Sequence, residues 1–294
     1  MKSPLPIRNG VSASRQFLPT GHWRSILEYL EHAYPTVDTA TWIDRMQRGE
    51  VLNEKGARIA PSDAYHAGSW LFYYRELQSE IVIPFEEHIL MHDEHLVVID
   101  KPHFLPVIPT GPYLHQTLLV RLKRKLQLEH LTPIHRLDRE TAGVMLFSHS
   151  PESRGTYQSM FQKHAMKKVY EALAPTSTRH AFPFTYRSRI VAGEPFYRMK
   201  ETDGDANSET HIEVLENRGE VSLYLLRPKT GRQHQLRVHL AALGIPILND
   251  RFYPELAHGE GDNFARPLKL LARSISFVDP YSGLARSFRS ERVL

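Results

Sequence analysis

The 294-residue chain contains no cysteine, which excludes disulfides, thiolate nucleophiles, thiolate zinc sites and iron–sulfur clusters. Its N-terminus, "MKSPLPIRNGVSASRQFLPTG", has no apolar signal core, and no run of about 18 apolar residues occurs anywhere. Neither export nor membrane spanning is therefore expected, and a cytoplasmic setting is. No G-x-x-x-x-G-K-[ST] occurs, and no G-x-G-x-x-G follows a strand pattern; "GEGDNF" (259–264) fits neither, so no nucleotide cofactor is indicated. Histidine is plentiful, yet His234 and His239 stand five apart with no carboxylate recurring beside them, which is poor spacing for one helix face, so no metal is expected. Internal repeats and low-complexity tracts are absent. The net charge is only +4, which does not by itself demand nucleic acid.

What is present is a soluble globular chain, 41% hydrophobic, long enough for a sizeable core. Its positive charge is local. Residues 1–79 hold 9 Lys+Arg against 8 Asp+Glu, and the rest of the chain 28 against 25, so neither part is a basic block. The cations gather instead in "VRLKRKL" (120–126), "HRLDR" (135–139), "QKHAMKK" (162–168) and "RPKTGRQHQLRVH" (227–239).

Helical spacing of apolar residues predicts helices over 24–33 and 39–51, followed by a small hairpin within 51–77, and so a compact module over 1–79. From residue 80 onward, strand patterns at "HILMHD", "HLVVIDK", "GVMLFSH", "KKVYEALA" and several alternating runs after 184 are interspersed with helical patterns at 113–126, 152–164 and 232–243. An α+β class with a mixed, mostly antiparallel sheet is expected for 80–294. The polar stretches 200–209 and 254–264 read as exposed loops.

"HRLDRETAGVMLFS" (135–148) sets Asp138 between two arginines at the mouth of an apolar strand. Such an acid can be a turn cap or half of an ion pair, or it can be a reactive carboxylate held beside a concave surface. "KVYEA" adds Tyr170 on a strand among basic residues, and "KTGRQHQLRVHL" adds Arg232 after a glycine turn, at the expected start of a helix. Together they offer a stacking face, a charge partner and a carboxylate around one flat base.

These segments resemble the RluA family of RNA pseudouridine synthases: "HRLDRETAGVMLFS" matches its H-R-L-D-x-x-T-x-G segment, and "TGRQHQLRVHLAALGIPILNDRFY" (230–253) its other main signature. "DEHLVVIDKP", "KKVYEALA" and "LKLLARSISFVDP" follow in family order over roughly 85–280. The departures are Ala142 for the usual Ser, Asn249 for the usual Gly, and Ala272-Arg273 for a His-Ala pair. The resemblance implies a pseudouridine-synthase-like catalytic domain that isomerises uridine in a stem-loop of rRNA or tRNA, with no cofactor. It makes Asp138 the catalytic carboxylate, Arg232 its ion-pair partner and Tyr170 the stacking aromatic. It puts Arg136 into the space the target nucleotide leaves, with His135 and Arg139 beside it, and Leu270 or Leu271 as the floor under the base. "TWIDRMQRGEVLNEKGARIAPSDAYHAGSWLFYY" is similar to the small RNA-binding domain named for a ribosomal small-subunit protein, so the N-terminal module is expected to be an α/β RNA-holding unit of a monomer. An inactive RNA-binding or assembly protein on the same fold is the other reading. A glycosidic hydrolase would present two carboxylates, and only Asp138 has arginine neighbours with an apolar strand behind it.

Overall fold

The structure, a computed structural model, describes residues 3–257 and 261–294, so residues 258–260 of the expected loop 254–264 lie outside it. Its chain divides into two compact units. The first comprises Met1–Ile81 with Thr110–His115, and the second Val82–Pro109 with Gln116–Leu294. No helix among the described residues is long and apolar enough to cross a membrane.

In the first unit, strand β1 (Ser14–Phe17) precedes helices α1 (Ile26–Ala33) and α2 (Thr39–Gln47), then strands β2 (Val51–Asn53) and β3 (Trp70–Tyr73). The hairpin expected within 51–77 is the β2–β3 pair, and β1, which no apolar alternation announces, completes a three-stranded antiparallel sheet on the other side of β3. Side-chain caps set the helix starts: Ser25 Oγ accepts from the Glu28 amide at 3.1 Å, and Asp38 from the Thr41 amide at 2.8 Å. Tyr29, Leu30, Trp42, Met46 and Leu71 fill the core between helices and sheet. Segment 110–115 is tied to this unit through Glu80, which accepts the Leu114 and His115 amides at 2.7 and 2.9 Å.

The second unit runs β4 (His88–His92), β5 (Leu96–Lys101), α3 (Leu118–Leu126), β6 (Thr132–Pro133), β7 (Ala142–Ser148), α4 (Pro151–Gln162), β8 (Lys167–Pro175), β9 (Phe184–Ala192), β10 (Met199–Thr202), β11 (Ser208–Asn217), β12 (Val221–Pro228), α5 (Gln235–Ala242), β13 (Leu270–Val278) and β14 (Ala285–Arg289). Nine strands form one path in the order β10-β9-β11-β12-β8-β13-β7-β5-β4, with β14 on β13 and β6 on β7. Every pairing is antiparallel except β13 with β7, the mixed α+β sheet the pattern predicts. The expected loop 200–209 is shorter than its polarity suggests, because Met199–Thr202 pairs with β9 and Ser208 already opens β11.

The parallel junction positions the site. All seven residues of β7 are buried, as its apolar run requires. At its start Gly143 adopts φ +114°, and a Cβ there would lie 2.2 Å from the Ala272 carbonyl oxygen of β13. Only glycine lets the two strands approach this closely, and the loop carrying Asp138 is thereby pressed against the middle of the sheet.

Candidate active site

Asp138 stands in the turn before β7, with its side chain 24% exposed. Lys101, buried at the end of β5, fastens this turn: its ammonium donates to the carbonyls of Pro102 (3.0 Å), Leu105 (2.9 Å) and Arg139 (3.0 Å). Burial draws that ammonium down to about 7, against the opposite pull of Glu140 and Asp138.

The partner of Asp138 is Arg237, not Arg232. Arg237 Nη1 approaches Asp138 Oδ2 at 3.3 Å, while Nε and Nη2 make a bidentate pair with Asp250 at 2.8 and 2.7 Å. Burial alone would lower the Arg237 pKa, but the Asp250 hydrogen bonds and the charges of Asp250, Asp138 and Glu140 raise it well above its ordinary value. The guanidinium lies over the rings of Phe252 and Tyr253 at 4.8 and 5.5 Å. Arg232 misses this role because the helix begins at Gln235 rather than at 232. His234 takes a left-handed conformation (φ +55°) just before it, and Arg232 is left exposed with Nε donating to the Asn207 carbonyl at 3.1 Å.

His234 is a second neighbour that the sequence reading missed. Its Nδ1 shares a hydrogen bond with the Tyr253 hydroxyl at 2.9 Å and its Nε2 faces Asp138 Oδ1 at 3.8 Å. Burial lowers its pKa, while Asp138 pulls the other way. Of the two missed residues, Arg237 carried a signal. An arginine inside "QLRVHL" occupies an apolar helix, where a charge persists only if paired, and Asp250 follows thirteen residues later.

Asn249, expected to stand where the family has glycine, directly precedes Asp250. It holds φ +63°, a left-handed conformation that Asn tolerates better than most residues, and its Nδ2 donates to the Pro267 carbonyl at 2.9 Å.

Tyr170 lies on β8 between Leu226 of β12 and Ala272 of β13, half-buried against the cluster that contains Leu236, Leu240 and Leu270. Burial and then the Asp138 charge raise its pKa, so the phenol keeps its proton. Leu270 belongs to this cluster on the Tyr170 face, whereas the next residue, Leu271, is fully buried and points to the opposite face by strand alternation. Of the two expected floor residues, Leu270 is the one packed on the Tyr170 face.

Arg136 is exposed and its guanidinium makes no ion pair among the described residues. Its two expected companions are engaged elsewhere. His135 stacks on Phe161 at 4.4 Å and accepts the Leu146 amide on Nε2 at 3.1 Å; burial, reinforced by Lys168, takes it down to about 3, so the ring is neutral and braces β7. Arg139 makes a bidentate pair with Asp262 at 2.6 and 2.7 Å and also holds Glu140. Glu140 in turn stands 3.7 Å from Arg237, so Asp138 is not the only carboxylate with arginine neighbours. Among the described residues no group of three or more His, Asp or Glu side chains is arranged to hold a metal ion.

A model of the family described as RNA pseudouridylate synthase matches residues 95–242, which contain Asp138, Tyr170, His234 and Arg237. An uncharacterised RNA pseudouridine synthase of Synechocystis is 30% identical over 230 residues, covering 78% of this chain and 79% of its own. A dual-specificity RNA pseudouridine synthase of Vibrio vulnificus is 31% identical over 207 residues, covering 68% and 80%. The solved structure of a human protein, RNA pseudouridylate synthase domain containing 4, superposes with a TM-score of 0.54 at 26% identity, over 69% of this chain and 87% of that one.

Proposed function

We propose, from the premise that this chain belongs to the RNA pseudouridylate synthase family and isomerises uridine in ribosomal or transfer RNA to pseudouridine, that Asp138 is the carboxylate that acts on the target nucleotide and Arg237 the residue that orients it. The reaction breaks the bond from ribose C1′ to uracil N1, turns the base and joins C1′ to C5. C5 loses its hydrogen and N1 gains one, so nothing is oxidised or reduced. Asp138 can serve as base at the ribose 2′ position or as nucleophile at C1′ or at ring C6, and each role uses a carboxylate lone pair.

The observation that carries this reading is the graded burial along Asp250, Arg237 and Asp138: the first two are closed off from solvent, while the third stays open to a ligand. Arg237 is anchored by its bidentate pair and presents its remaining Nη1 to one carboxylate oxygen, leaving Oδ1 toward His234 and the opening. Tyr170 offers a ring for the extruded uracil and a protonated hydroxyl near Asp138, with Leu270 beneath it. Extruding a base costs a few kcal/mol, and stacking on a ring returns about 1–3 kcal/mol. Arg136, exposed and in no ion pair among the described residues, fills the vacated stack.

The further parts of the proposal are that the first unit holds RNA without contributing to the chemistry, and that the enzyme works as a cytoplasmic monomer on a uridine in a short stem-loop. The test is tritium release from transcripts labelled with [5-³H]uridine. Asp138→Asn should lower turnover about 10²–10⁴-fold while RNA affinity and melting temperature stay near wild type. A variant that still turned over at about a tenth of the normal rate would overturn the assignment.

A further inference from the structure

Phe196, at the tip of the β9–β10 hairpin, is 87% exposed. The tip that carries it is braced. The Gly193 amide donates to the Arg198 carbonyl at 2.9 Å and the Arg198 amide to the Pro195 carbonyl at 2.8 Å. Arg198 Nη2 donates to the Pro254 carbonyl at 2.9 Å, and the Met199 amide to the Tyr253 hydroxyl at 2.7 Å. Below the tip, Ile190 and Met199 of the hairpin pack in one cluster with Val238 and Ala241 of α5, the helix that supplies Arg237. A large apolar ring is thus kept in water on a fixed support rooted in the catalytic helix.

From the carboxylate to this ring runs an unbroken line of neighbouring side chains. His234 Nε2 lies 3.8 Å from Asp138; the His234 ring is 5.7 Å from Phe252, Phe252 is 5.4 Å from Tyr197, and Tyr197 is 5.5 Å from Phe196. Tyr197 is itself 37% exposed; the exposed cations on this side are Lys200, three residues further along the hairpin, and Arg232, next to Gln233 whose Nε2 donates to the Tyr197 carbonyl at 3.5 Å, while Glu194 is the exposed acid at the tip. An aromatic face among cations is the combination that binds a single-stranded nucleic acid, rings taking base faces and cations taking phosphates.

We propose that Phe196 is a stacking platform for an unpaired base of the substrate RNA next to the extruded uridine, and so helps to select loops over helices. The proposal rests on the reading of Asp138 as the reacting group, since that locates the target nucleotide. RNA is the occupant because it is the substrate of this family, and the ring is continuous with the site where its target base is expected.

The test uses the full chain and the pooled [5-³H]uridine-labelled transcripts of bacterial transfer and ribosomal RNA. Phe196→Ala should raise KM about tenfold and leave kcat and melting temperature near wild type. Phe196→Trp should restore KM, Phe196→Leu should not, and the added tryptophan's fluorescence should be quenched by the same RNA. A KM within about twofold of wild type for Phe196→Ala, equal rescue by Leu and Trp, or an unquenched Trp at saturating RNA would each overturn the platform. Self-association abolished by Phe196→Ala with KM unchanged would assign the ring to an interface between copies, and would also overturn it. If Asp138→Asn kept its activity while the Trp was quenched, the catalytic assignment would fail and the platform would stand. A dead Asp138→Asn with an unquenched Trp would reverse that outcome.

Discussion

The two units treat buried charge differently. In the first, Arg45 is 4% exposed, but its guanidinium lies 4.9 Å from the Trp42 ring and its partner Glu76 is 45% exposed, so the charge emerges at water. In the second, Arg237 and Asp250 are 1% and 0% exposed, and the pair lies wholly inside. Such a pair is expensive to desolvate and adds little net stability. Its retention is explained by orientation: Arg237 is locked by Asp250 and hands a single N–H to Asp138. In the first unit the buried arginine ends at an exposed partner, while in the second the buried pair presents its remaining N–H to the partly exposed Asp138.

The sharpest way to break this contrast is Arg237→Met. Asp250 would lose its bidentate partner, and stability should fall by about 3–5 kcal/mol in urea unfolding, with tritium release abolished. Pairing it with Asp250→Leu should recover much of the stability and none of the turnover; recovered turnover would show that the arginine is merely structural.

A chain beginning at Val82 asks the contrast of the first unit. It should fold and still isomerise at saturating RNA, with its deficit in affinity and the salt dependence of binding flattened by about one unit of slope for each phosphate-binding cation removed. Because segment 110–115 belongs with the first unit, it should become protease-sensitive in this chain. Unchanged affinity with lost turnover would assign chemistry to the first unit.

Acid should also discriminate between the units. The first unit buries no histidine, whereas in the second burial takes His103 and His239 down to about 4 and His135 to about 3. Between pH 6.5 and 4 the unfolded chain binds the protons these rings refuse, so their stabilisation is present above about 6.5 and is lost as pH falls toward 4. For His239, fully buried between Ser208 and Thr210 at 2.9 and 3.0 Å, this amounts to up to about 3 kcal/mol by pH 4. Urea midpoints measured between pH 7.5 and 4 should drop less in His239→Gln than in wild type; equal drops would remove His239 from the account.

The smallest effect should come from Arg232→Met. Its side chain makes one hydrogen bond to a carbonyl, so kcat should be unchanged and stability should fall by about 0.5–1 kcal/mol. A dead Arg232→Met beside an active Arg237→Met would restore the pairing suggested by the sequence alone.

Local chemistry was legible in the sequence. The apolar run after Asp138 had to be a buried strand, and the alternation after residue 184 specified antiparallel strands. Partner choice was not legible. Asp138 meets an arginine 99 positions away, and Arg139 an aspartate 123 positions away. Which of two arginines five residues apart reached the carboxylate depended on where α5 began, and that start was delayed three residues by a left-handed turn at His234. Nor was it legible that His135 would stack on Phe161, Arg139 pair with Asp262 and Arg136 stay exposed, although all three sit within five residues. Residue type and short-range period determine which groups are present and which strand or helix bears them. The pairing of charges is decided by distances across the sheet, which exist only once β13 has docked beside β7 and α5 has packed against the strands.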